Sequence, residues 1–196
     1  MAKIAPDLAA AGYGAVELHP GQLTSMGDRV RRDRFAGALH AAGLEIACVF
    51  VGVASDPASA ALASARCEMA AAIGAKLVFL VPPSRRSGTQ RDMAAQVARV
   101  CRAAGGLGLV VAVHNHAGTH VTTVDMALRF LEAVDRPEAG LCLDVAHLAL
   151  FEDDLPAAIG RLAPHTRYLH VKDLAAGARE VLAGLDGESP VDLVDD

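Results

Sequence analysis

The stretch "AVHNHAGTH" at residues 112–120 places His114, His116 and His120 directly after a run of valines. Imidazole is the side chain whose ordinary pKa, near about 6.5, lets it bind a metal or move a proton at neutral pH. Polar residues also end other apolar, β-rich runs: Glu17 and His19 in "AVELHP", Asp144 and His147 in "LCLDVAH", and His170, Lys172 and Asp173 in "YLHVKD". Strand side chains alternate in direction, so His114 and His116 share a face with Ala112, while Asn115 turns away with Val113. The same alternation puts Asp144 with Cys142 and leaves His147 just past the strand. It also puts His170 with Lys172, turning Leu169 and Val171 toward a helix layer. His114, Asp144 and His170 then offer two imidazoles and one carboxylate from three successive strands. That mixture suits a divalent ion such as Mn, Co, Zn or Fe better than the all-oxygen shells of Ca or Mg.

The remaining polar residues have competing readings. Glu17, with His19 beside it, reads as a ligand for substrate hydroxyls or as a carboxylate serving loop backbone groups. Lys172 either pairs with Asp173 or binds an oxyanion of the substrate. His120 reads as a loop residue near a helix cap, and His40 and His165 read as ordinary hydrogen-bonded histidines.

Positioning these groups requires the elements that precede them. An alanine-rich helical stretch, a glycine and a short β-rich run recur in "AAAGYGAVELHP", "HAAGLEIACVFVGV", "AAIGAKLVFLVPP" and "AAGGLGLVVAVHNH". Two later units, "RPEAGLCLDVAHL" and "APHTRYLHVKD", keep the strand and change the lead-in. Strands about 30 residues apart predict helix-plus-strand units and a parallel sheet. Asp56 and Pro57 open one helix and Gly74 closes it; Thr123 caps another, carrying Leu128, Leu131 and Val134 at helical spacing and stopped by Pro137.

An open parallel sheet gathers its ligand groups at one switch point, whereas a closed barrel gathers them from many strand ends. Four of six strands here end in ionisable groups, which predicts an α/β, (β/α) TIM-type barrel. A full barrel has eight strands and typically about 250 residues. Residues 1–196 therefore read as a single, incomplete barrel domain of six or seven units, the seventh near "REVLAGL", with the first and last strands missing. Exposed edges would favour a homo-oligomer.

Composition narrows the function classes. Of 196 residues, 53% are hydrophobic and 21% charged, a globular profile rather than a disordered one. A formal charge of -5 with no basic block argues against nucleic acid, and the cluster "DRVRRDR" alternates with acids like a solvated helix face. No window approaches the roughly 18 apolar residues of a membrane span and no signal core opens the sequence, so a cytoplasmic location is expected. Cys48, Cys67, Cys101 and Cys142 form no C-x-x-C pair and read as buried free thiols. Nucleophile-elbow, phosphate-loop and dinucleotide fingerprints are missing, and the letters "HNH" do not establish a nuclease.

Taken together, "GYGAVELHP", "HNHAGTHVTT", "GLCLDVAHLAL" and "RYLHVKD" resemble the xylose-isomerase-like barrel superfamily over nearly the whole chain. That superfamily holds sugar phosphate isomerases and epimerases and the inosose dehydratases, the branch that "HAGTHV" resembles most. The resemblance implies Asp144 and His170 as metal ligands and His147 as a contact to substrate oxygens. His114 stands where many members carry a glutamate, and His116 matches a second polar position on that strand. Members also bring a glutamate from an eighth strand; Glu188, in the turn-like "DGESP", does not fill that role.

The function expected is a metal-dependent isomerase or epimerase of a small sugar, cyclitol or other polyhydroxy carbonyl compound, acting through an enediolate. His147 or His116 would take the proton, an imidazole pKa near about 6.5 being suited to neutral-pH transfer. The rival readings are a dehydratase-type lyase and a barrel remnant without catalysis. An endonuclease of the same superfamily is disfavoured by the acidic charge.

Overall fold

Six parallel strands pair in strict sequence order, β1 to β6. They are β1 (Ala15–Leu18), β2 (Glu45–Val53), β3 (Leu77–Val81), β4 (Val110–His114), β5 (Ala139–Asp144) and β6 (Thr166–His170). The computed structural model describes residues 4–25 and 28–179. The stretch expected as a seventh unit lies almost wholly outside these residues, as does Glu188.

Helices alternate with the strands as the repeats require. They are α1 (Ala5–Ala10), α2 (Pro20–Ser25), α3 (Arg29–Ala41), α4 (Pro57–Ala72), α5 (Gln90–Gly105), α6 (Val124–Val134), α7 (Val145–Ala149) and α8 (Leu155–Leu162). Their starts are set by side-chain caps: Asp56 accepts from the backbone N–H groups of Ala58 and Ser59, and Thr123 accepts from Met126. Such a cap contributes about 1 kcal/mol. Gly74 closes α4 in the left-handed region, but α6 stops earlier than Pro137, at Asp135 with φ 47°.

A doubly wound sheet would reverse its strand order; this one never does. It curls far enough for the Glu17 carboxylate of β1 to reach the His170 ring of β6, at 2.9 Å. The result is a curled partial barrel. Period-two alternation divides its residues: Val49, Val51, Val78, Leu80, Val111, Val113, Leu141 and Leu143 face the helices and join one large core. Cys48, Phe79, Ala112 and Cys142, with Phe50 and Tyr168 against them, form a second cluster on the inner face. The expectation fails on the outside of β6, where Leu169 is 49% and Val171 76% exposed, with no helix layer over them among the described residues.

Close approach of β5 and β6 depends on Gly140. A Cβ there would lie 2.8 Å from the His165 carbonyl oxygen and would also strike the Arg167 side chain. Since a backbone oxygen cannot swing aside, Gly140→Ala is expected to cost about 1–3 kcal/mol, the usual range for overpacking. Urea unfolding of the variant measures this; an unchanged midpoint would refute the steric account.

Candidate active site

Every strand-end group singled out from the sequence emerges on one side of the sheet, the side at which parallel-barrel sites form. Asp144 ends β5 and begins α7. Its Oδ1 caps that helix, accepting from the N–H groups of Ala146 and His147 at 3.0 and 3.1 Å. Asn115, immediately after β4, grips its backbone from the neighbouring strand: the amide oxygen accepts from Asp144 N at 2.5 Å, and the amide nitrogen donates to Asp144 O at 3.0 Å. This leaves Asp144 Oδ2 fully buried with no aligned hydrogen bond.

Three donor atoms converge there. His114 Nε2 lies 3.4 Å from Asp144 Oδ2, His170 Nδ1 lies 3.9 Å from it, and the two nitrogens are 3.1 Å apart. Donors held about 2.0–2.2 Å from a common ion are separated by roughly 3.0–3.6 Å, depending on the angle between them. The triangle is thus close to the size a divalent ion needs. His170 also has the support usual for a metal-binding imidazole, since its Nε2–H donates to Glu17 Oε2 at 2.9 Å and leaves Nδ1 unprotonated, the acceptor in its 3.1 Å contact with His114 Nε2. His114 has no such support, because its buried Nδ1 finds no partner. A second grouping of His114, Asp144 and His147 also brings its donor atoms within 4.8 Å of one another.

His116 joins the cluster by a route other than strand alternation. β4 ends at His114, and His116 N–H turns back to bond the His114 carbonyl at 2.9 Å. The turn stacks the His116 ring on His147, with centroids 4.0 Å apart. Two backbone contacts then fix both rings. Because a carbonyl only accepts, the 3.0 Å contact to Ala117 O requires a proton on His116 Nδ1 and leaves Nε2 as the acceptor. Because a backbone N–H only donates, the 3.4 Å contact from Ala117 N uses His147 Nδ1 as its acceptor.

Burial pushes His147 down to about 3, reinforced by His116, Lys172 and His114 and opposed by Asp144. Burial lowers His114 and His116 as well. The ordinary imidazole pKa expected for a base is therefore not what the site provides. Burial pushes the Asp144 carboxyl up, yet His114, Lys172 and the His147 backbone N–H outweigh it and hold the group well below the usual carboxylate range.

Lys172 does not pair with Asp173, whose carboxylate accepts from Leu174 N–H instead. Its ammonium stands 2.8 Å from Asp144 Oδ2 and 3.4 Å from His147 Nε2. His19 stays on the rim: it is exposed and accepts from Gly21 N–H, and its ring centroid is 5.4 Å from that of Phe50. His120 is a loop residue, bonded to the Gly88 carbonyl. Sequence reasoning missed Phe50 and Phe79, which stack at 4.8 Å and carry an apolar wall from His19 to the edge of His170. Their period-two placement was the available signal, but apolar strand residues read as core.

Sequential parallel strands curled around a polar strand-end cluster define the class of (β/α) barrels. Within it, the chain belongs to the xylose isomerase-like TIM barrel family, whose model matches residues 6–190. No curated protein matches it in sequence. Among solved structures it is similar to the probable 3-DHS dehydratase AsbF of Bacillus anthracis, with 17% identity, TM-score 0.76, and coverage of 92% of this chain and 70% of that one. A D-psicose 3-epimerase of Clostridium cellulolyticum, solved with D-tagatose, gives 14% identity, TM-score 0.77, and coverage of 96% and 76%. A xylose isomerase-like protein of Mycobacterium smegmatis, solved with magnesium, gives 18%, 0.72, and 88% and 66%. At these identities the likeness is one of fold. Among the described residues, no helix is long and apolar enough to cross a membrane.

Proposed function

We propose that the chain is a divalent-metal-dependent isomerase or epimerase of a small polyhydroxy carbonyl compound. The observation that carries this reading is the triangle of His114 Nε2, His170 Nδ1 and the buried Asp144 Oδ2. These residues would hold the ion, with Glu17 orienting His170. When bound, such an ion supplies Lewis acidity toward adjacent carbonyl and hydroxyl oxygens, stabilising the charge left by proton removal.

The chain's own residues divide the rest of the work. His116 accepts the proton at Nε2, the nitrogen its Ala117 contact leaves unprotonated. His147 contacts a substrate oxygen through its Nε2 edge, beside the Lys172 ammonium. Lys172 places positive charge beside both and favours an anionic enediolate over the neutral sugar. Phe50 and Phe79 offer a flat apolar surface for the C–H face of a sugar.

The test is metal content per chain in wild type, His114→Ala and Asp144→Ala, with solvent deuterium uptake measured at the carbon next to the carbonyl in a panel of ketoses. Expected are one bound ion in wild type, loss in both variants, and exchange only in the loaded protein. Unchanged metal content in both variants would sink the assignment. A dehydratase is the second reading, favoured by the Lys172 ammonium beside His147 as a proton donor for a departing hydroxyl. Ultraviolet absorption from a newly conjugated product separates it from isomerisation.

A further inference from the structure

Cys142 is buried in the barrel interior, a free thiol that the proposed mechanism leaves unused. It sits two residues before Asp144 on the same face of β5, and in the strand ladder its partner is His114, as His170 is the partner of Asp144. The pairing puts the thiol directly below the triangle of donors. Its sulfur and one ring nitrogen each from His114 and His170 lie within 4.8 Å of one another. Asp144 Oδ2, buried and paired with the Lys172 ammonium at 2.8 Å, lies 3.4 Å from His114 Nε2.

We infer that Cys142 is a further metal donor, making the centre a mixed sulfur, nitrogen and oxygen site that selects thiophilic ions such as Zn or Co over Mg. The inference rests on the metal reading above and deepens it. A thiolate strongly prefers soft and borderline ions, whereas Mg requires oxygen donors and keeps its waters. The thiolate and the two imidazoles would supply three donors, and the Asp144 carboxylate, 3.4 Å from His114 Nε2 and 3.9 Å from His170 Nδ1, would be the fourth of a tetrahedral set. Cys48 serves as the internal control, because it is another buried thiol of the inner cluster but lies on β2.

The experiment is Co titration of metal-free chain followed by absorption spectroscopy, on wild type, Cys142→Ser, Cys48→Ser and Asp144→Asn. Expected is a near-ultraviolet thiolate-to-Co charge-transfer band in wild type and Cys48→Ser. In Cys142→Ser the band disappears and Co affinity falls about 10- to 100-fold, at least the loss that removing a supporting contact produces. Co bound in an Asp144-dependent way without that band, or a band that survives Cys142→Ser, overturns the thiol assignment and leaves the metal reading intact. No Co bound to wild type overturns both. Should Cys142→Ser fail to fold, X-ray absorption on Zn-loaded wild type decides: a sulfur shell near about 2.3 Å is expected, and a shell of nitrogen and oxygen alone refutes the inference.

Discussion

Asp144→Asn is expected to strip the metal from the purified chain and abolish turnover while leaving the fold in place. The amide keeps the volume, and one oxygen remains to cap α7 through the N–H groups of Ala146 and His147. What it removes is the negative charge at the one buried carboxylate oxygen facing His114 and His170. Losing a ligand should weaken affinity by more than the 10- to 100-fold typical of a lost supporting contact. The partner Lys172 is about half exposed and can turn to water, so its unpairing should not add the several kcal/mol of a fully buried orphan charge. Elemental analysis and thermal unfolding together check this. A variant that unfolds would make Asp144 structural, and one that keeps its metal would remove it from the site.

The metal-free protein is expected to lose stability steeply as pH falls below about 6.5. In the unfolded chain each histidine titrates near its ordinary value, whereas burial holds His114, His116 and His147 neutral in the fold. Between the folded and unfolded values the unfolded chain binds more protons, so stability falls as pH falls. For His147, lowered to about 3, moving from pH 7 to 5 removes roughly 2 kcal/mol. In a chain of this size that corresponds to a Tm drop of about 4–8 °C. Asp144 adds nothing over this interval, because its folded value lies below its ordinary one and its contribution is lost only at more acid pH. A chelator-treated sample with constant Tm from pH 7 to 5 would contradict the buried-imidazole picture, and His147→Gln should flatten the curve.

Much of this architecture could be read from the residues because parallel strands announce themselves twice, by glycine after a helix and by polar residues where the apolar run ends. Asp144 and His170 sit where period-two alternation places them, and the sequential strand order follows from the repeats. Alternation gave the right neighbourhood for His116 but the wrong cause, since a turn stabilised by its own N–H sets its ring against His147. Of the two readings of Lys172, pairing with its sequence neighbour Asp173 fails because ion pairs are decided by which groups share a cavity; its partner is Asp144. The tautomer of His116 was illegible because it depends on which backbone atom of Ala117 the ring meets.

The Glu17 to His170 hydrogen bond joins residues 153 positions apart, from the first strand to the sixth. Such a contact carries nearly the largest loop-closure cost this chain can impose, so it forms only after the intervening strands have docked. The orientation of the His170 ring is therefore among the last native features acquired. A nascent chain still emerging would lack the His170 half of the centre, however early His114 and Asp144 come together on adjacent strands. On the proposed metal reading, capture of the ion would report completion of folding rather than guide its early steps, and added ion should slow unfolding while leaving the refolding rate nearly unchanged.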